Sequence, residues 1–175
     1  MMRELKRELN PDERLRRSAA VAIRLERLPQ FEAARVVLLY WSMADEVQTH
    51  ALVERWHRDK VVLLPCVDGD DLLLRQYTGP QCMVAGEQFG IGEPSADTPL
   101  WTDLEAIDLI AVPGVAFDND CNRMGRGRGF YDRLLAGASR AFKVGLAYDF
   151  QMLDAIPVEP HDVKMDCVVT ENSQF

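Results

Sequence analysis

The sequence has no run of apolar residues near the roughly 18 that a membrane-spanning helix needs, so no such helix is expected. Its charged opening, MMRELKRELNPDERLRR, lacks an apolar stretch behind it, so no secretory leader is expected. It has no surplus of positive charge. The 20 basic and 28 acidic residues give a net charge of −8, which argues against a protein that coats DNA or RNA. A local basic patch remains able to hold a small anion. None of the four cysteines (Cys66, Cys82, Cys121, Cys167) stands in a CxxC or CxxH pair. Neither structural zinc nor a disulfide scaffold is therefore expected, and the four read as buried free thiols of a reducing cytosol. Repeats, low-complexity tracts and Gly/Ser linkers are missing too. What is present is 175 residues with 47% hydrophobic and 27% charged side chains, enough apolar mass for a real core. Residues 1–175 read as one domain.

The opening segment reads as helix. Asn10 suits the cap, Pro11 the first helical position, and Glu13 completes a capping-box pattern. Leu15, Ala19, Ala22 and Ile23 then share a face. Five short apolar runs follow: VVLLYW (36–41), VVLLP (61–65), DLIAVP (108–113), KVGLAY (143–148) and CVVT (167–170). Their continuous apolar character predicts strands buried on both faces, as in a parallel sheet. A helix is predicted over 49–59, capped by Thr49, and another from Phe130 to about Leu135, ending at Gly137. Strands alternating with helices predict an α/β sandwich whose ligands bind at the carboxyl ends of the strands. The stretch 68–104 reads as a hairpin and loops laid over one side of the sheet.

The chemistry is concentrated in PGVAFDNDCNRMGRGRGFYDRLL, 113–135, between a predicted buried strand and a predicted helix. Gly125, Gly127 and Gly129 alternate with Arg126 and Arg128, and Arg123 stands just before. Glycine lets backbone N–H groups turn toward an anion at close range, and the helix start adds partial positive charge. Arginines add forked donors for phosphate or carboxylate. Asp132, one helical turn on, can hold Mg²⁺ beside such phosphates. The loop is neither a Walker motif nor a dinucleotide fingerprint, since GK[ST] is missing and GxGxG is not GxGxxG. A flexible basic turn or an RGG-like RNA contact is the plainer reading of the same residues, and the net charge weighs against RNA.

The run DLIAVPGVAFDNDCNRMGRGRGFYDRLL resembles the signature of the 5-formyltetrahydrofolate cyclo-ligase family, and the likeness extends over nearly the whole chain. SMADEVQT (42–49), GIGEP (90–94), GLAYDFQ (145–151) and IPVEPHDVKMDCVVTE (156–171) also match. The resemblance implies a three-layer α/β sandwich with a central, mostly parallel sheet, like the sugar-phosphate isomerase and CoA-transferase folds. It implies ATP- and Mg²⁺-dependent cyclisation of 5-formyltetrahydrofolate, with or without a polyglutamate tail, in the cytoplasm. The chain is then expected to be a monomer without nucleic-acid or membrane partners, although the residues themselves do not fix the oligomeric state. Carried over by position, Arg123, Met124, Gly125, Arg126, Gly127, Arg128, Gly129, Phe130 and Tyr131 line the ATP phosphates. Residues Arg126 to Phe130 also face the reacting end of the folate, with Arg126, Arg128 and Phe130 as the catalytic set. Asp132 and Asp162 match magnesium positions, Glu46 the acid that binds the pterin ring, and Trp41 a substrate contact. Taken alone, Asp162 and Glu46 read as solvated loop acids and Trp41 as core. His50 and His57, seven apart on one helix, read as a solvated face, and His161 and Cys121 as bystanders.

Two departures stand out. Relatives open with a Lys-x-x-Leu-Arg helix that contributes cations to ATP, whereas here only Arg3, Lys6 and Arg7 precede Pro11. Either the natural protein starts further upstream, which is the favoured reading, or part of the nucleotide site is lost. Phe130 stands where many relatives carry tyrosine, which removes one phenol hydrogen bond worth about 1 kcal/mol. Two rival functions share this architecture: a non-catalytic nucleotide- or folate-binding module, and a sugar-phosphate isomerase-like enzyme with no need for ATP.

Overall fold

The five apolar runs become five parallel strands of one sheet. The computed structural model describes residues 1–86, 88 and 90–175. In chain order the helices and strands are α1 (Met2–Glu8), α2 (Pro11–Glu26), α3 (Pro29–Ala33), β1 (Val36–Leu38), α4 (His50–Trp56), β2 (Val61–Asp68), β3 (Asp71–Gln76), β4 (Met83–Ala85), β5 (Gly92–Pro94), β6 (Leu100–Trp101), β7 (Leu109–Val112), β8 (Ala116–Asp118), β9 (Arg123–Met124), α5 (Phe130–Gly137), β10 (Phe142–Leu146), β11 (Met152–Leu153) and β12 (Cys167–Val169).

The main sheet runs β12-β10-β7-β1-β2-β3-β6. Val37 lies opposite Val62 on one side and Leu109 on the other, in parallel register. Because side chains alternate along a strand, both faces must be covered, and both are. Val37, Leu39, Leu64 and Ala111 pack with Val21 and Leu25 of α2, Phe31 of α3 and Leu52 of α4. Leu38, Leu63, Ile110 and Val112 pack with Leu134 and Leu135 of α5. The result is a three-layer α/β fold in which each fully buried leucine contributes about 2 kcal/mol.

Some local expectations need correction. Asn10 does cap α2, accepting the Glu13 N–H at 2.8 Å. The Glu13 side chain turns instead to Arg16 and Arg17, which hold its carboxyl down to about 2. The inward face of α2 is Ser18, Val21 and Leu25, while Leu15 and Ile23 are exposed. A buried serine disguised that stripe: its hydroxyl is paired with the Tyr148 hydroxyl at 2.9 Å and accepts the Gln48 N–H at 2.9 Å. Stretch 68–104 also differs from expectation. Strands β3 and β6 extend the main sheet antiparallel, with Leu64 opposite Arg75 and Leu74 opposite Trp101, and β4 and β5 pair as a separate two-stranded sheet.

At the outer edge of β12 the chain folds back on itself. Val168 and Phe175 exchange both backbone hydrogen bonds, at 3.1 and 2.9 Å, and Val169 bridges to Gln174. Among the described residues, no helix is long and apolar enough to cross a membrane.

Candidate active site

The glycine-arginine segment starts where β7 ends. Pro113 and Gly114 lead into β8, which joins β9 and β11 in a small sheet ordered β11-β8-β9. Buried Phe117 anchors this sheet against Gly114 and Gly145; a Cβ on either glycine would meet its ring at 2.7 or 2.6 Å. The turn before β9 is organised by Asp118, which is 2% exposed. Its carboxylate accepts the backbone N–H groups of Asp120, Asn122 and Ile156 and the Asn122 side-chain amide, all at 3.0–3.1 Å. Burial alone would raise the Asp118 carboxyl, but these bonds outweigh it and hold it below the usual range. Sequence reading passed over Asp118 because an acid in a DND turn looks like surface.

Asp118 thereby sets the entry of Arg123. The Arg123 side chain is only 6% exposed, with its guanidinium donating to the Pro113 carbonyl at 3.0 Å and lying 3.8 Å from the Asp132 carboxylate. The guanidinium also sits 5.4 Å from the centre of the Tyr131 ring. Its Nε is buried with no partner. A buried cation with an unused donor suits an anion. Gly125 makes room for it, since a Cβ there would stand 2.9 Å from the Arg123 guanidinium. Gly127 and Gly129 adopt φ of +95° and +69°, values that favour glycine. Gly129 then caps α5.

Two guanidinium groups lie over the Phe130 ring, Arg128 at 5.0 Å and Arg133 at 5.7 Å from its centre. Arg133, not singled out from sequence, ties the loop to the β2–β3 hairpin through the Arg128 and Asp70 carbonyls. Asp132 accepts the Val163 N–H at 3.2 Å, which brings the turn holding Asp162 against the start of α5. Asp162 accepts the Glu159 N–H at 2.8 Å, and both carboxylates act on the charge of Arg123.

The opposing wall is the loop between β1 and α4. Ser42 and Thr49 exchange backbone-to-hydroxyl bonds at 2.9 and 3.2 Å, and the Thr49 hydroxyl donates to the Tyr40 carbonyl, so Thr49 stands at the N-cap of α4 as expected while its hydroxyl closes this loop instead of bonding the helix. The Tyr148 hydroxyl donates to the Glu46 carbonyl at 3.0 Å, and Arg14 reaches the Ala44 and Lys6 carbonyls at 2.5 and 2.6 Å. Glu46 is held rigidly as a result. Its carboxylate accepts the Met43 N–H at 2.9 Å and faces Arg126 at 3.5 Å. Burial raises the Glu46 carboxyl despite those partners. The loop's Asp45 takes Arg126 at 3.0 Å and stands 3.7 Å from buried Lys6.

Trp41 stacks on His50, with ring centres 3.8 Å apart at 13°, and on Tyr77 at 6.1 Å. A Cβ on Gly92 of the GIGEP segment would meet its indole at 2.9 Å. His57 meets Tyr77 edge-on. His50 and His57 are therefore parts of an aromatic wall, not a solvated helix face. The cysteines are free, and burial pushes the Cys66 and Cys167 thiols up to about 12, so neither is a thiolate nucleophile at neutral pH. His161 is exposed, between Glu159 and Asp162.

Among the sequence-predicted residues, the structure brings Arg126 to Glu46, and Arg123 to Asp132 and Tyr131. Among the described residues, the ring contacts of Trp41 are to His50 and Tyr77 rather than to the glycine loop.

A solved Aquifex aeolicus 5,10-methenyltetrahydrofolate synthetase superposes with a TM-score of 0.87 at 36% identity, over 99% of this chain and 87% of that one. The Escherichia coli K12 5-formyltetrahydrofolate cyclo-ligase is 32% identical over 97% of this chain and 96% of its own, and the Mus musculus enzyme of that name is 28% identical over 95% and 88%. The model of the 5-formyltetrahydrofolate cyclo-ligase family matches residues 1–171. On fold, sequence and extent of match together, the chain belongs to the 5-formyltetrahydrofolate cyclo-ligase family.

Proposed function

We propose that this chain closes 5-formyltetrahydrofolate to 5,10-methenyltetrahydrofolate, consuming ATP and releasing ADP and phosphate. The formyl group is an amide, so its carbon is a poor electrophile and its oxygen a poor leaving group. The formyl oxygen attacks the γ-phosphorus, and the bond from that phosphorus to the bridging oxygen of ADP breaks. The lone pair of N10 then attacks the activated carbon of this imidoyl phosphate. N10 loses its proton, and the carbon–oxygen bond breaks to release phosphate. The formyl oxygen leaves within that phosphate.

The chain's share is positioning and charge stabilisation. Arg126, Arg128 and the backbone N–H groups of 125–129 surround the transferring phosphoryl group. Arg123, buried with an unused Nε, holds phosphate further back. The Phe130 ring packs on the folate, and Glu46 accepts N–H groups from the aminopyrimidine edge of the pterin. Trp41 and its aromatic neighbours form a flat wall near the folate.

Asp132 and Asp162 would hold Mg²⁺. Two hard oxygen donors suit an ion that keeps water and phosphate as its other ligands, and no denser cluster of three or more His, Cys, Asp or Glu exists among the described residues. When bound, Mg²⁺ supplies neutralising charge to the phosphates.

One observation carries the reading: Arg126 of the glycine loop meets Glu46 at the carboxyl end of the sheet, so an anion site and an N–H acceptor lie side by side. The purified protein, ATP, Mg²⁺ and 5-formyltetrahydrofolate are mixed and the methenyl chromophore is followed. Chromophore should form only when all are present. Binding without turnover would leave a ligand-binding module instead, and ATP-independent turnover of a sugar phosphate would favour the isomerase reading.

A further inference from the structure

Four charged groups meet where α1, the β1–α4 loop and the glycine loop touch. One Arg126 nitrogen lies 3.0 and 3.2 Å from the two Asp45 oxygens and 3.5 Å from a Glu46 oxygen. On the far side of Asp45, the Lys6 amine sits 3.7 Å away with its side chain 4% exposed. Burial lowers the Lys6 amine against the pull of Asp45. Burial would likewise raise the Asp45 carboxyl, but Lys6 and Arg126 outweigh it.

A single guanidinium nitrogen is thus committed to three carboxylate oxygens. One of them belongs to Glu46, the acid given above to the pterin edge, and Arg126 itself is given to phosphate. These duties compete. The short contacts go to Asp45 and the long one to Glu46, so Asp45 is the anchor and Glu46 is reached because of it.

We propose that Asp45 is a positioning residue that acts through Arg126, holding it against Glu46 so that nucleotide and folate each bind more tightly once the other has broken the shared pairing. This rests on the function proposed above. Nucleotide phosphates that draw Arg126 away leave the Glu46 oxygen open to pterin N–H groups. Pterin N–H groups that occupy Glu46 leave Arg126 with one acceptor fewer. Coupling of this kind is reciprocal by linkage. Lys6 stays beside Asp45 throughout, so Asp45 keeps a cation when Arg126 departs. The Arg126 and Asp45 side chains are 48% and 42% exposed, which keeps the coupling modest, about five-fold.

The test uses the β,γ-methylene analogue of ATP, whose γ-phosphoryl group is present but cannot transfer, and 5-formyltetrahydrofolate. Dissociation constants are measured for each alone and with the other saturating. In the natural chain each ligand should tighten the other about five-fold. In Asp45→Asn that ratio should fall to about one while the analogue alone binds tighter, and Asp45→Glu should restore the ratio. A merely structural defect would weaken both ligands instead. Arg126→Ala, which removes the shared group from the other partner, should also bring the ratio to about one, and it serves should Asp45→Asn fail to fold. Independent binding in the natural chain, or an undiminished ratio in Asp45→Asn or Arg126→Ala, overturns the proposal while leaving the function intact. Failure of both ligands to bind the natural chain overturns the function itself and this proposal with it.

Discussion

The Arg123 guanidinium stands 3.8 Å from the Asp132 carboxylate, and the other oxygen of that carboxylate is taken by the Val163 N–H. This buried pair contrasts with Arg126, half exposed a few residues on. Arg126→Ala should lower kcat/KM about 100-fold, as loss of one donor to a reacting oxyanion does, with a much smaller loss of stability than Arg123→Ala. Arg123→Ala should lose activity and also about 3 kcal/mol of stability, because it strands Asp132. Urea titrations beside steady-state kinetics check both. Equal melting of the two variants would contradict this division.

Asp132→Asn should leave the fold intact and raise the Mg²⁺ concentration needed for half-maximal turnover by about ten-fold, since one hard anionic ligand is lost. A Mg²⁺ titration that overlays the natural chain's would remove Asp132 from metal binding.

The glycines should fail in different ways. Gly127→Ala puts a Cβ on a residue at φ +95° in open space, so it should cost about 1 kcal/mol through the backbone alone. Gly125 has no such φ. Gly125→Ala instead crowds the Arg123 guanidinium, and should reduce turnover more than stability. Paired melts and rates distinguish the two, and reversed rankings would refute the packing argument.

Glu46→Gln separates stability from function. Burial raises the carboxyl of Glu46 above its ordinary 4.5, so folding favours its protonated form. That contribution is fully present below pH 4.5 and is lost as pH rises through the folded value. At neutral pH the ionised side chain therefore costs stability. Glu46→Gln should melt a few degrees higher at pH 7, with the gain vanishing by about pH 4, and should bind folate less well. A lower melting temperature at pH 7 would disprove the sign.

Helix α2 offers a test of the fold alone. Leu25→Ala should cost about 3 kcal/mol, whereas Leu15→Ala should cost under about 0.5 kcal/mol, since Leu25 is fully buried and Leu15 is 64% exposed. Chemical denaturation reads both, and comparable losses would restore the face suggested by the Leu15–Ile23 pattern.

Much of this fold is legible in the sequence because its parallel strands are buried on both faces and so are written as unbroken apolar runs. The glycine loop is legible because few backbones need three glycines among arginines between a strand and a helix. Polar residues that turn inward were not legible. Ser18, Thr49 and Asp118 are buried because specific partners satisfy them, and those partners lie up to 130 residues away in the chain, as Tyr148 does from Ser18. Lys6 and Asp45 escaped for a similar reason: a charge meets its counterpart only after α1 folds onto the β1–α4 loop. His50 and His57 looked solvated because the aromatic rings that receive them come from other elements.

The return of Gln174 and Phe175 onto β12 has a consequence beyond this one molecule. Phe175 occupies the outward hydrogen-bonding positions of Val168 that a neighbouring chain would otherwise use. A chain clipped after Ser173 would present an apolar strand with an unfilled ladder, the template from which intermolecular sheets and fibrils grow. Residues 174 and 175 thus shield the Val168 edge from pairing with another copy of the chain.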